Sequence, residues 1–268
     1  MTILIIAPHQ DDEILSSCLL IQERIEKGDQ VYIAFATNGD YRGRHVGRQR
    51  YQESLRALRM LHFPENHIFY MGYGDTGMRY ERSFLLRLYY GETERVVPTP
   101  VSERTYHPAG KETLHFICTG RETSYCRRHF LCDLRFLLNV CKADLVVLPS
   151  GLDRHGDHRA CYLFMRELLG RQEQKPALLT YLLHAGNDTL WPNRGEATFS
   201  RPPIARKLWE QRLVLRASEE ARRIKLDCIN CFRSQQPEAL NNYLLSFAKR
   251  EEIFFPAFPG HPIINIFP

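Results

Sequence analysis

Two short segments carry the residues that could do chemistry. The first is Pro8-His-Gln-Asp-Asp-Glu13, and the second is His155-Gly-Asp-His158. In the first, His9 and Asp12 stand three residues apart, and an imidazole and a carboxylate at that spacing across a tight turn can converge on one cation. Zinc accepts this mixture of ligands. The second segment offers what the first lacks, because catalytic zinc typically has three protein ligands and one open position. Together the segments fill that count and leave one histidine and two aspartates over. Each segment alone also has a plainer reading. Asp11 and Asp12 are good helix caps that favour the helix dipole, and a histidine in a loop is usually a polar surface group. A phosphate cradle does not fit, since the first turn has no glycine and two carboxylates.

The elements that must position these residues follow from the hydrophobic pattern. Thr2 to Ala7 is a continuous, β-branched apolar run with no charge, which predicts a strand buried on both faces. Ile14, Cys18, Ile21 and Ile25 then recur at helical spacing, and Lys27-Gly28 supplies the stop. His9, Asp11 and Asp12 thus fall in a strand-to-helix turn, where open α/β sheets bind ligands. A second strand over Val31 to Ala36 ends in Thr37-Asn38-Gly39-Asp40. A helix from about Arg48 to Leu61 follows, then a strand from about Ile68 to Met71 running into Gly72-Tyr-Gly-Asp-Thr-Gly77. This rhythm predicts a mostly parallel α/β sheet with the three turns on one edge.

Residues 79–124 break the rhythm, with one short helix expected at Ser83 to Tyr90, and they read as an irregular lid insertion over the strand ends. A helix from about Tyr125 to Cys141 leads to a strand over Asp144 to Pro149. Its exit loop holds His155, Asp157 and His158, followed by a helix to about Gly170. A strand from Leu178 to His184 comes next. His184, at its end, could reach the same edge, although its expected role is structural. The C-terminal part, 205–268, reads as a helical extension with helices over Glu219 to Phe232 and Pro237 to Arg250 and an apolar tail ending at Pro268. The whole chain, 1–268, reads as one domain.

Composition narrows the function classes. The chain has 268 residues, 44% apolar and 25% charged, as in an ordinary globular protein. No apolar run approaches the ~20 residues a membrane span needs. A secretory signal is not expected, since the first residues already form a core strand, and the expected location is the cytoplasm. Eight cysteines without such a signal read as reduced thiols rather than a disulfide framework. Cys228 and Cys231 form a lone C-x-x-C with no second pair, so no zinc or redox role is assigned to them. The net charge of +5 comes without the dense basic stripe and aromatic platforms of a nucleic-acid protein. Basic residues do gather in Arg42 to Arg50. That loop either holds an anionic group of a ligand or is simply solvated.

The two chemical segments together resemble the PIG-L/LmbE-type zinc-dependent de-N-acetylases, whose pattern is AHPDDE after the first strand and HPDH downstream. Thr37-Asn38-Gly39, Arg50-x-x-Glu53 and Gly72-x-Gly-Asp75 match in register. The resemblance spans at least residues 1–170, and the C-terminal helices look like those of some bacterial members. Gln10 and Gly156 stand where the pattern has proline, which bears on loop rigidity rather than on ligands. The resemblance implies a Rossmann-like fold with helices on both faces and one zinc per chain held by His9, Asp12 and His158. It implies Asp11 as the base for the attacking water, and a protonated His155, oriented by Asp157, as the stabiliser of the oxyanion. It implies Arg50 and Asp75 as contacts to the sugar's hydroxyls. The activity it implies is hydrolysis of an N-acetyl group from an amino sugar of the N-acetylglucosamine type, anionic conjugates included; from composition, neither a nucleic-acid partner nor a membrane span is expected. Cleavage of another amide, such as a thiol conjugate, and a non-catalytic sugar- or nucleotide-binding module are the alternatives. The substrate's aglycone and the oligomeric state do not follow from the residues.

Overall fold

Ile3, Leu4, Ile5 and Ile6 are all at most 1% exposed, as a strand covered on both faces requires. Each such side chain contributes roughly 1.5–3 kcal/mol when fully buried. They belong to β1 (Thr2–Ala7), an interior strand of a seven-stranded sheet ordered β3-β2-β1-β4-β5-β7-β6 among the described residues. The computed structural model describes residues 1–77, 80–170, 175–185, 191–204, 206–236 and 243–257. β1 pairs in parallel with β2 (Gln30–Thr37) and with β4 (Leu145–Pro149). β3 (Ile68–Tyr73) and β5 (Ala177–Tyr181) extend the parallel part on either side.

Alternation along β1 sends Ile3 and Ile5 into one core and Leu4 and Ile6 into the other. The first core also takes Ile14, Cys18 and Ile21 of α1 (Asp12–Glu26), with Tyr51, Leu55 and Leu58 of α2 (Arg44–Met60). The second takes Phe130, Leu134 and Leu137 of α5 (Arg127–Cys141) and Phe164 and Leu168 of α6 (Gly156–Gly170). Helices therefore cover both faces, the expected Rossmann-like architecture. Gly28, at φ 75°, turns the chain out of α1 in a conformation that glycine adopts without strain.

The segment read as an irregular lid is more ordered than expected. It contains α3 (Phe84–Tyr90) and α4 (Leu114–Thr119), and Phe84, Leu85, Leu88 and Leu114 are fully buried in the second core. It is a packed flank of the sheet, because its apolar residues find partners only in tertiary contact.

The C-terminal extension is not purely helical. After α7 (Arg206–Trp209) come β6 (Leu213–Arg216) and α8 (Glu219–Asn230). Of the expected second helix, 237–242 lie outside the described residues. Tyr243–Phe247 form a short 3-10 turn, and β7 (Glu251–Pro256) follows, antiparallel to both β5 and β6. The expected tail beyond Ala257 also lies outside the described residues. Two adjacent glutamates argue against a central strand, and specific partners reverse that. Glu252 accepts from Lys225 Nζ at 2.7 Å and from the Leu19 and Leu20 N–H groups of α1, while Lys225 also donates to the Leu15 carbonyl. Glu251 accepts from the Phe199 N–H at 2.8 Å. All eight cysteines are free thiols. No helix among the described residues is long and apolar enough to cross a membrane.

Candidate metal centre and active site

β1 and β4 are neighbours in the sheet although some 140 positions separate them in sequence. The turns at their carboxyl ends therefore meet, and they are the turns that carry the two chemical segments. His9 lies two residues beyond β1, Asp12 opens α1, and His158 sits in the first turn of α6. All three are at most 4% exposed.

Asp12 Oδ2 lies 3.3 Å from His9 Nδ1 and 3.2 Å from His158 Nε2. Two ligands of one tetrahedral zinc, each at roughly 2.0–2.2 Å, lie roughly 3.4 Å apart, so the spacing fits. His158 Nε2 is buried and has no hydrogen-bond partner, an arrangement that normally destabilises a protein. The opposite ring nitrogens are anchored. His9 Nε2 meets Asp157 Oδ2 at 3.3 Å, and His158 Nδ1 meets Asp153 Oδ2 at 3.2 Å. A carboxylate behind each imidazole is the usual outer support of a metal-binding histidine. The donor types, the two spacings to Asp12 and the orphaned nitrogen make His9, Asp12 and His158 a candidate set for a zinc ion. His155 also brings a ligand atom within 4.8 Å of those of His9 and His158.

Asp11 takes a strained backbone conformation, φ 140° and ψ −30°. Its side chain makes no capping hydrogen bond. Arg50 Nη2 donates to Asp11 Oδ1 at 3.1 Å and to the Gln10 carbonyl at 3.0 Å, and Nη1 lies 3.7 Å from Asp75 Oδ2. Asp75 in turn lies 3.8 Å from His9 Nε2. Arg50 and Asp75 are thus tied into the site floor rather than free, yet both still line a pocket of ≈ 440 Å³ that also reaches His9, Asp11, Asp12 and His155. At its mouth stand Arg42 and Arg82, both exposed.

The electrostatics separate the roles. Burial lifts the Asp11 carboxyl to about 6, with the Arg50 guanidinium pulling the other way. A carboxylate in that range is suited to proton transfer near neutrality. Burial opposes the charge on Asp12, but the His158 and His9 rings outweigh it and hold the carboxyl well below the usual range. Burial likewise opposes a charge on His158, yet Asp12 and Asp153 raise its pKa to about 10. A cation would displace the proton that this pair favours.

His155 differs from expectation in two ways. Burial, then the neighbouring His9 and His158 rings, push its pKa well below the usual imidazole value, so it stands neutral rather than protonated. Its Nδ1 accepts from the Asp157 backbone N–H at 3.2 Å, which leaves the proton on Nε2 as a hydrogen-bond donor. The Asp157 carboxylate does not orient His155 as the resemblance implied. It accepts from His9, from Ser83 Oγ at 2.6 Å and from the Leu85 N–H at 3.2 Å. Asp157 points back across the site because α3 supplies these donors.

The two departures from the family pattern have local reasons. Gln10 Nε2 donates to the Thr37 carbonyl at 2.9 Å, tying the β1 turn to β2. A Cβ on Gly156 would lie 2.2 Å from Ser83 Cβ, so the glycine makes room for the serine that bonds Asp157. Asp153 and Ser83 were not singled out from sequence, since no local pattern marks a residue whose role is to hold another, whereas His184, expected at this edge in a structural role, lines the pocket.

Comparison with known proteins agrees with this architecture. Residues 4–169 match the family model PIG-L, described as GlcNAc-PI de-N-acetylase. Comparison with curated proteins returned no match. Among solved structures, the zinc-inhibited form of teicoplanin deacetylase Orf2 is 15% identical, with 96% of this chain and 97% of that chain covered and a TM-score of 0.58. N,N'-diacetylchitobiose deacetylase from Pyrococcus horikoshii is 16% identical, covering 99% and 86%, with a TM-score of 0.57. GalB, the 4-carboxy-2-hydroxymuconate hydratase from Pseudomonas putida KT2440, is 13% identical, covering 98% and 99%, with a TM-score of 0.55. Identities this low establish a shared fold, whereas the family model spans more than half of the chain and runs from β1 through α6, both chemical segments included. The chain belongs to the PIG-L, or GlcNAc-PI de-N-acetylase, family.

Proposed function

We propose that this protein is a zinc-dependent hydrolase that removes an N-acetyl group from an amino sugar of the N-acetylglucosamine type, releasing acetate and a free amine. The observation that carries this reading is the approach of His9 Nδ1 and the orphaned His158 Nε2 to Asp12 Oδ2, with His9, Asp11 and Asp12 lining an open pocket. His9, Asp12 and His158 would hold one zinc per chain. When bound, zinc lowers the pKa of a coordinated water towards ~7 and polarises an acyl oxygen.

The chain's own residues supply the rest. Asp11, poised near 6 and held by Arg50, takes a proton from the attacking water. His155 donates its Nε2–H to the acyl oxygen as charge builds there, a role preorganised donors fill well. Asp11 then returns its proton to the departing nitrogen, so proton and acyl group are both accounted for. Arg50 and Asp75 remain the candidates for contact with the sugar's hydroxyls. Arg42 and Arg82 at the mouth favour a conjugate with a phosphate or carboxylate. The P. horikoshii structure, by its title a diacetylchitobiose deacetylase, supports an N-acetylated sugar as the first substrate to try.

The test pairs elemental analysis with acetate release from N-acetylglucosamine, its phosphorylated forms and diacetylchitobiose. Wild type should carry one zinc per chain and release acetate, and His158→Ala should do neither. A protein that binds no metal even after reconstitution would overturn the reading.

A further inference from the structure

Asp153 is fully buried behind the site, and its carboxylate collects five donors. Oδ1 accepts from the His155 N–H at 2.8 Å and from His184 Nδ1 at 3.1 Å. Oδ2 accepts from the Leu183 N–H at 3.1 Å, the His184 N–H at 3.2 Å and His158 Nδ1 at 3.2 Å. One side chain thereby joins the exit loop of β4, the first turn of α6 and the segment after β5. A carboxylate surrounded by N–H groups can only accept, so both rings must carry their proton on Nδ1. A ring that carries only that proton presents a bare Nε2. In His158 that nitrogen faces Asp12 Oδ2. In His184 it has no hydrogen-bond partner among the described residues, and the ring lines the same pocket as His155 and Asp11. The His184 and His155 ring centroids are 5.2 Å apart, and Tyr243 stacks on His184 at 6.2 Å.

We propose that Asp153 is the positioning residue of this site and that His184 is a further substrate-binding residue. One buried carboxylate turns the Nε2 of His158 onto the cation and the Nε2 of His184 onto the pocket. There His184 accepts a hydrogen bond from a hydroxyl or amide N–H of the substrate. A donor-bearing neighbour of the scissile amide, as on a pyranose ring, is the chemistry it selects. The His184 half rests on the function proposed above, whereas the Asp153 half does not.

Three measurements test it. In zinc-loaded wild type, the ring 15N chemical shifts should show Nδ1 protonated in both His158 and His184. A bare Nδ1 on either ring overturns the arrangement without any variant having to fold. Competition with a chelator should show zinc bound about 10–100-fold more weakly by Asp153→Asn, whose oxygen still serves the backbone N–H groups, but equally well by His184→Phe. Zinc affinity in Asp153→Asn equal to that of wild type refutes the positioning role. With N-acetylglucosamine, His184→Phe should raise KM about tenfold, the loss of one hydrogen bond. Its kcat should change little, and His184→Gln, which keeps an acceptor, should recover part of the loss. Wild-type KM in His184→Phe removes His184 from the substrate. If wild type turns over no N-acetylated sugar, the proposed function fails, and the ring tautomers and zinc affinities still decide the role of Asp153.

Discussion

Replacing Gly156 by alanine is the smallest change that should loosen the proposed metal centre without touching a proposed ligand. The new Cβ would stand 2.2 Å from Ser83 Cβ, 2.7 Å from Ser83 Oγ and 3.0 Å from Leu86 Cδ1. Carbon atoms pack at roughly 3.5–4.0 Å, so the start of α3 must retreat by more than an ångström. Ser83 cannot follow and keep its bonds. Its Oγ caps α3 by accepting from the Leu86 N–H at 3.1 Å and donates to Asp157 Oδ1 at 2.6 Å. Losing the cap costs about 1 kcal/mol, and losing a hydrogen bond to a charged group costs about 1.5–3 kcal/mol. The expected destabilisation is their sum, roughly 2.5–4 kcal/mol, read as a shift in the urea midpoint of the chelated protein. Because Asp157 Oδ2 also holds His9 Nε2, zinc affinity should fall about tenfold or more. The double variant Ser83→Gly/Gly156→Ala removes the clash, so it should be hardly less stable than Ser83→Gly alone, an interaction energy of roughly 2.5–4 kcal/mol, the whole cost of the single Gly156→Ala change. Full additivity of the two substitutions, or a Gly156→Ala protein as stable as wild type, would refute the reasoning.

Asp11→Asn keeps the shape of the side chain and an oxygen for Arg50, so elemental analysis should find zinc retained while acetate release falls about 10²–10⁴-fold. Lys225→Met leaves Glu252 charged and buried against α1 and should lose about 3–5 kcal/mol in denaturant unfolding, most of it restored by adding Glu252→Gln. Burial, helped by the Lys111 charge, pushes the His107 imidazole down to about 4, below its unfolded value of about 6.5. The unfolded chain therefore binds the proton first. His107 contributes full stability above about pH 6.5 and loses it as pH falls towards about 4, a change of at most about 3 kcal/mol. Urea midpoints measured across that range should fall less steeply in His107→Gln than in wild type, and parallel curves would remove His107 as a cause.

Much of the molecule was legible in the order of its residues. Strands buried on both faces announce themselves as short β-branched runs, and amphipathic helices as a 3.6-residue recurrence. From Thr2 to Gly170 the strands and main helices fall close to where those patterns put them. Ligand types were legible as candidates, since His9 and Asp12 at a turn that lacks glycine suit a cation or a helix cap and not a phosphate. What neighbouring residues could not reveal was choice of partner. Leu213–Arg216 and Glu251–Pro256 become strands because β7 finds β5 on one side and β6 on the other. Local propensity cannot foresee the Lys225 that receives Glu252.

The same division runs through the site. Sequence determined that two imidazole-and-carboxylate turns would leave the sheet at its carboxyl edge, because strand and helix periodicity are local properties of the chain. Only the tertiary structure decided which carboxylate serves which ring. Asp157 turns to His9 because α3 brings Ser83 and Leu85 against its other oxygen. Asp153 holds His158 and His184 together because β4 and β5 are neighbours in the sheet. Hydrogen-bond partners are set by distances of about 3 Å between atoms far apart along the chain, and only the packed sheet fixes those distances.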